Sequence, residues 1–569
     1  MTIGEPETPF AADRTAIPAD WHDWLLHKQT EVVCASATLV FLVLGWGAAH
    51  ALPPLPAISA TSCFLAYLTG GYFGVRASWR SLRQRTVNVD LLVVLAAIGA
   101  AFVGVPFEGA WGLFLLSLSN VLQDWAINRA HRAIGPLGKS QPAHGEKTDI
   151  QRLLEKSEQP YIFAVLILTA ALIFVPWLGL HQALHEVFYR AITVMVVASP
   201  CAVILGTTVA NLAALGGAAR RGILIKGGAQ LERLTTVQVL AFNQTGTLTR
   251  GEPQVTDIIA SGGHSAFLWQ PTGESLDLLR VAAAVEAPSG HPLARAIAKA
   301  ARERRLGQLE CTEFQSVSGK SVAATVNHRR IAVGSIAYFK LLHCCGLAET
   351  EGWLAALQDA GKTCVLVGEI TAGGDQARML GVIALADGLR PGAAAVITRL
   401  RQLGVKRTVL LTGDHHRVAE VIARETGVDE VHAQLMPEDK VRVIRALLAL
   451  GPVAMVGNGG LDAPALAAAD LGLALGADGT DGARETAGVA MLNGELRSIP
   501  FAIEISRRAH RVVAQNFTFA LGVTVGLVVA ALTGHVTLPL GMLALVGSTA
   551  LVCLNGLRLL RHSAAPAAT

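Results

Sequence analysis

Apolar positions along this chain fall into two patterns. Toward both ends they form long unbroken runs, and in the middle they come as short bursts between polar turns. A bilayer crossing needs about 20 apolar residues. Runs of that kind lie at 32–50, 57–75, 89–105, 109–127, 160–180, 187–214, 512–533 and 536–558. Between them, residues 216–511 alternate Val/Ile/Leu runs with Ala-rich helical stretches. The runs at 237–242, 381–387, 408–414 and 452–459 each end in a polar turn. Short runs that are apolar on both faces predict parallel strands, with the functional site at their carboxyl ends. Residues 254–380 interrupt this rhythm and read as an inserted domain.

Composition supports a membrane reading. Apolar residues make up 52% and charged residues 16%, with a mean hydropathy of +0.45; soluble domains carry about 25% charge. Arg76, Arg80, Arg83 and Arg85, and again Arg129 and Arg132, mark cytoplasmic loops. They fit eight spans with both termini in the cytoplasm, in the plasma (inner) membrane. A net charge of +4, with no basic patch interleaved with aromatics, excludes a nucleic-acid partner. The eight cysteines are scattered and give no disulfide framework. The chain thus divides into an N-terminal tail (1–31), four spans (32–134), a linker (135–158) and two spans (159–215). A split α/β domain (216–253 and 381–511) with its insertion (254–380), two further spans (512–560) and a C-terminal tail (561–569) follow.

The chemistry gathers at the ends of the short runs. The first opens into Asn243-Gln244-Thr245-Gly246-Thr247, a polar turn suited to a phosphate. Asp387, Arg390 and Pro391 follow the second run, and Thr412-Gly413-Asp414 closes the third. Pro437 and Lys440 lie in a helical stretch, and Gly457-Asn458-Gly459-Gly460-Leu461-Asp462 closes the fourth run. In order and spacing these elements resemble the heavy-metal-translocating P-type ATPases, in their zinc/cadmium/cobalt-like branch. The resemblance implies a membrane α-helical bundle of eight spans. It adds a cytoplasmic α/β HAD-like phosphorylation-type domain carrying an inserted α+β nucleotide-binding-type domain. It also places Asn243 where the family has its phosphorylated aspartate and Gln244 where it has lysine. Asn458 stands at a magnesium-holding aspartate and Leu461 at an asparagine, while Asp462 is kept.

The same resemblance assigns Glu286, His291, Pro292 and Gly319 to the adenine side of a nucleotide pocket. Ser321 replaces a second glycine there, and His291 has the alternative role of capping a helix. Ser199-Pro200-Cys201 in the sixth span matches the family's intramembrane metal motif. A proline kink frees carbonyls, and a soft sulfur suits a transition-metal ion. A lone cysteine is also an ordinary small apolar residue, and the partner motif of the last span reads Leu545-Val546-Gly547-Ser548-Thr549. No Thr-Gly-Glu occurs between the fourth and fifth spans, where the family inserts its actuator domain. With nucleophile, magnesium carboxylate, actuator loop and membrane ligands all altered, the expectation is a pseudo-pump without ATP-driven turnover. It would bind ATP weakly and magnesium poorly, and would partner or regulate a complete metal-transporting ATPase. The alternatives are an ATP-dependent zinc/cobalt/cadmium-like exporter with unusual catalytic residues, and a passive metal-binding or conducting membrane protein.

Overall fold

The computed structural model describes residues 21–51, 55–84, 86–134, 148–179, 181–261, 265–267, 273–317, 321–371, 376–476 and 485–561. Most of the N-terminal tail, residues 135–147 of the linker, Gly319 and the last eight residues lie outside them. The described residues form two compact units. One comprises the chain up to Arg221 with Ile225–Thr235 and the stretch from Ile505 onward, and the other comprises Gly222–Leu224 with Thr236–Glu504.

The first unit is helical. It contains α1 (Trp21–Ala49), α2 (Pro56–Arg83), α3 (Val89–Phe102), α4 (Pro106–Ile134), α5 (Asp149–Gly179), α6 (Leu184–Val197) and α7 (Cys201–Ala219). The α5 helix begins inside the stretch read from sequence as a linker. Asn88 caps α3, its side-chain oxygen accepting from the Leu91 amide. Among the described residues, five stretches are long and apolar enough to cross a membrane: Thr30–Ala49, Asp149–Gly179, Leu184–Ala219, Ser498–Leu532 and Leu538–Arg561. The α3 helix is apolar but shorter. Leu92, Leu115, Ile162, Met195 and Met542 meet in the core of this unit.

The second unit holds two seven-stranded sheets. Its elements, with those that lead into it and out of it, run β1 (Ile223–Ile225), α8 (Gly228–Thr236), β2 (Val239–Asn243), β3 (Gln254–Ala260), β4 (Ser265–Phe267), α9 (Gly273–Glu286) and α10 (Pro292–Glu303). Then come β5 (Cys311–Val317), β6 (Ser321–Val326), β7 (Arg329–Gly334), α11 (Ile336–Leu341), α12 (Leu347–Asp359), β8 (Thr363–Ile370) and β9 (Ala377–Ala386). The rest are α13 (Ala393–Gln402), β10 (Arg407–Leu411), α14 (His416–Thr426), β11 (Glu430–His432), α15 (Pro437–Leu447), β12 (Val453–Gly457), α16 (Ala463–Ala468), β13 (Leu471–Leu475) and β14 (Val489–Met491). Two long helices follow, α17 (Ser498–Leu532) and α18 (Leu538–Leu557).

The first sheet is ordered β1-β14-β13-β12-β2-β10-β11. Strand β2 lies at its middle, parallel to β10 on one side and β12 on the other. Its burial is complete from Val239 to Phe242, as expected of a strand covered on both faces. The parallel register pairs Asn243 with Leu411 and Phe242 with Val456. The polar turns after all three strands therefore open at one edge.

The run ending at Asp387 departs from the sequence expectation. Its strand, β9, does not join the parallel sheet. It pairs antiparallel with β3 and β8 in the second sheet, ordered β4-β3-β9-β8-β7-β6-β5. Helices α9 and α10 cover one face of that sheet and α11 and α12 the other. A central antiparallel strand covered on both faces is as continuously apolar as a parallel one, so the hydrophobic pattern cannot separate them.

Phe242 is fully buried at the centre of the parallel sheet. Its truncation, Phe242→Ala, is expected to destabilise the α/β unit by about 3–5 kcal/mol. A lowered melting midpoint of the purified chain checks this, and an unchanged midpoint would contradict it.

Candidate functional site at the edge of the parallel sheet

The turn after β2 is built to be tight and fixed. Gly246 adopts φ +70, which favours glycine, and a Cβ there would lie 1.9 Å from the Asn458 side-chain nitrogen. The Asn458 amide thus lies directly against the turn. Arg390, just past β9, clamps the turn from the other side. Its guanidinium donates to the carbonyls of Gly246 at 2.9 Å, Thr249 at 3.0 Å and Gly494 at 2.8 Å. Asp387 accepts from the Thr249 hydroxyl at 2.5 Å and from the Gly251 and Glu252 amides at 3.1 and 3.2 Å. The apolar strand that belongs to the second sheet therefore delivers two charged residues that hold the loop of the first.

At the bottom of the edge, three side chains close on one another. Lys440, 9% exposed on α15, pairs with Asp462 at 3.0 Å, and Asp462 is 2% exposed. The Asn243 amide bridges them: its nitrogen donates to the second Asp462 oxygen at 2.7 Å, and its oxygen accepts from Lys440 at 3.1 Å. Pro437 starts α15, and the Asp439 carboxylate accepts from the Met436 amide at the same end, so Lys440 is presented from a well-capped first turn. Beside this triangle, the Gln244 amide donates to Asp414 at 2.6 Å. The Asp414 amide in turn bonds the Thr412 hydroxyl. Burial and the nearby Asp387 carboxylate push Asp414 up to about 6, against the pull of Lys440. Two buried side-chain polar atoms in this turn have no partner among the described residues, the Gln244 amide oxygen Oε1 and the Thr247 hydroxyl. Thr245 is half-buried and Gly413 exposed at the same edge.

The other candidate residues lie elsewhere. Glu286 ends α9 and is 8% exposed; burial pushes its carboxyl up to about 7, opposed by a hydrogen bond from Ser289. His291 caps α10, its ring nitrogen accepting from the Leu293 amide, and Pro292 is the first helical residue. Burial and Arg295 hold His291 below its ordinary range. In the helical unit, α6 stops at Val197 and α7 restarts at Cys201, so Pro200 breaks the helix as its sequence implies. Ser199 is 1% exposed, and its hydroxyl lies 3.1 Å from the Cys201 sulfur. The Ala198 carbonyl beside the break accepts from the Tyr161 hydroxyl of α5 at 2.5 Å. Leu545 and Val546 are buried. Among the described residues, no three His, Cys, Asp or Glu side chains group to hold a metal ion.

A haloacid dehalogenase-like hydrolase profile matches residues 237–470, the span that carries this edge. The zinc-transporting ATPase of Bacillus subtilis strain 168 is 30% identical over 658 aligned positions, which cover 98% of this chain and 99% of that protein. The chain belongs to the heavy-metal-translocating P-type ATPase family. A probable cadmium-transporting ATPase of Alkalihalophilus pseudofirmus is 35% identical over 454 residues, 79% of this chain and 60% of its own length. The chain thus spans about 60% of the length of the cadmium-transporting relatives it matches. The crystal structure of a zinc-transporting PIB-type ATPase in an E2.Pi state aligns with a TM-score of 0.64 at 30% identity. That alignment covers 93% of this chain and all of that one. The parallel-sheet part of this P-type ATPase family member is accordingly HAD-like, the inserted part is of the nucleotide-binding type, and the helical unit is the membrane region.

The structure brings Asn243, Thr245, Thr247, Thr412, Asp414, Lys440, Asp387, Asn458 and Asp462 to one edge. Gly319 lies outside the described residues. Two participants escaped the motif reading. Thr249 holds Asp387, and Tyr161 caps the carbonyl at the kink. A proline break signals that a carbonyl needs a donor. Which residue supplies it, 37 positions away, is decided by packing.

The Asp414 shift has a testable sign. Because the folded carboxyl titrates near 6 rather than 3.8, the fold favours its protonated form. The stability this group contributes at acid pH is lost as pH rises through about 6. Asp414→Asn is therefore expected to gain stability relative to the parent between pH 4.5 and 7.5, by roughly 2–4 °C in melting midpoint. A gain that shrinks over that interval would reverse the assignment.

Proposed function

We propose that this heavy-metal P-type ATPase family member is a pseudo-pump, a membrane protein that keeps the pump's architecture without ATP-driven turnover. The observation carrying this reading is the Asn243 amide seated between Lys440 and Asp462. In the family this position is an aspartate that attacks the terminal phosphate of ATP. A carboxamide is not a nucleophile at neutral pH, and here its nitrogen and oxygen are both engaged. Magnesium does not fit these residues as they stand. A hard cation wants carboxylate oxygens, and the Asp462 oxygens are taken by Lys440 and Asn243 while Asn458 offers only an amide. Opening the pair from one side would leave a buried charge, which costs about 3–5 kcal/mol.

With the catalytic cycle stalled, the reading assigns the chain to regulating or partnering a complete metal exporter. Eight spans in the plasma membrane, with the termini and the soluble unit in the cytoplasm, belong to the same reading. One set of observations favours the alternative of an ATP-dependent zinc- or cadmium-like exporter: Asp387, Thr412, Asp414 and Lys440 are all assembled at the edge. The Ser199–Cys201 contact at the kink is what a passive metal-binding role would rest on.

Two measurements separate these readings. Incubation with γ-labelled ATP and zinc or cadmium, followed by an acid quench, is expected to leave no hydroxylamine-labile label on the parent protein. Asn243→Asp is expected to accept label at most once per chain without sustained phosphate release. It sets a second carboxylate beside Asp462 but supplies neither a carboxylate at position 458 nor a Thr-Gly-Glu loop between the fourth and fifth spans. Steady turnover by this single variant would favour the exporter reading.

Nucleotide binding gives the second measurement. Glu286 and His291 lie on the inserted part, and a ligand shifts a conformational equilibrium only through its differential affinity for the two states. Calorimetry on the full chain is expected to show weak binding, with magnesium-ATP and ADP within about tenfold of one another, about 1.4 kcal/mol. Magnesium-ATP binding beyond that margin would mean that the edge still reads the γ-phosphate.

A further inference from the structure

The helical unit contains a basic cavity that the catalytic reading does not use. It has a volume of about 270 Å³ and is lined by Trp125, Asn128, Arg129, Arg132 and Arg220. The first four stand on one face of α4, at spacings of three, four and seven residues. Arg220 caps the end of α7. The two helices pack against each other, so their ends form the two walls. Among the described residues, no aspartate or glutamate lines the cavity.

Two of the three guanidinium groups are held in place. Arg129 lies over the Trp125 ring at 5.8 Å, and Arg220 donates one nitrogen to the Leu560 carbonyl at 3.1 Å. Among the described residues, both keep further N–H groups free for a ligand, and Arg132 adds a third, exposed guanidinium. The tendency of membrane proteins to carry Arg at helix ends needs only charge. It does not require three arginines to converge on one concave volume beside an aromatic.

We propose that this cavity binds the phosphate of an anionic phospholipid headgroup. Its depth in the bilayer follows from the chain. Arg220 immediately follows the span-length stretch Leu184–Ala219, so the cavity lies where a spanning segment ends and headgroups begin. Trp125, 50% exposed, is the type of residue that settles at that level. Arginine forks match phosphate oxygens, and basic pockets between spanning helices take anionic headgroups. The occupant would tie the end of α4 to the end of α7, at the point where the chain leaves for the α/β unit.

The test uses the full-length protein, purified and stripped of lipid in neutral detergent. Phosphatidylglycerol is expected to raise the melting midpoint saturably, whereas phosphatidylcholine or inorganic phosphate at the same concentration does not. Arg129→Gln/Arg132→Gln is expected to weaken the phosphatidylglycerol effect roughly tenfold. Arg76→Gln/Arg80→Gln, which removes the same charge from α2, leaves the effect intact. If the first pair does not fold, native mass spectrometry of Arg132→Gln, an exposed position, is expected to show fewer bound phosphatidylglycerol molecules than the parent. Equal weakening by both pairs would reduce the effect to diffuse surface charge and overturn the proposal. An equal, saturable shift with inorganic phosphate would overturn the lipid assignment in favour of a soluble anion, and no lipid-dependent shift would overturn both.

Discussion

The ion pair between Lys440 and Asp462 constrains the whole catalytic edge. It is 3.0 Å long and nearly excluded from water, so neither partner can be left alone without a large penalty. Asn243 fits between them because an amide offers one donor to the carboxylate and one acceptor to the ammonium. A carboxylate at 243 would offer only acceptors and would face Asp462 across the same lysine. The neighbouring exchange at Gln244 follows the same logic. Its amide donates to Asp414. The two neutral amides at 243 and 244 are thus both hydrogen-bonded to carboxylates of the edge.

That edge is also where the two sheets of the α/β unit meet chemically. Strand β9 belongs to the antiparallel sheet, yet Asp387 and Arg390 just beyond it hold the turn after β2 through backbone carbonyls and amides. Arg390 reaches three carbonyls, two in this turn and one at the distant Gly494. Burial lowers its affinity for a proton while Asp387 supports the charge. The turn is therefore held from both the Asp387 and the Arg390 side, with the Thr247 hydroxyl buried and without a partner among the described residues.

In the membrane region the break at Pro200 is handled by neighbouring polar groups. Tyr161 takes the Ala198 carbonyl, and Ser199 and Cys201 lie against each other. Polar backbone at membrane depth must be satisfied by protein or must line a cavity, and here a hydroxyl from α5 does part of that work. Leu545 and Val546 of α18 are buried apolar residues, so this part of the last helix contributes packing.

Several features of the chain were determined by its sequence alone. Span-length apolar stretches, the helix break at Pro200 and the fully buried strand before Asn243 follow from local composition, because burial on both faces and a missing amide leave marks within a few residues. The ordered motifs were likewise enough to place Asn243, Asp414, Lys440 and Asp462 in one site, since parallel strands put all their following turns on the same edge. Tertiary structure alone decided which sheet β9 joins, because a strand covered on both faces is equally apolar in either. It decided how Asn243 is engaged, because the Asp462 and Lys440 that hold it come from residues 219 and 197 positions away. It also decided which face of α4 and which end of α7 converge on a basic cavity. Each of these depends on a partner distant in sequence, and no local pattern of apolar and polar positions encodes which distant partner packing will supply.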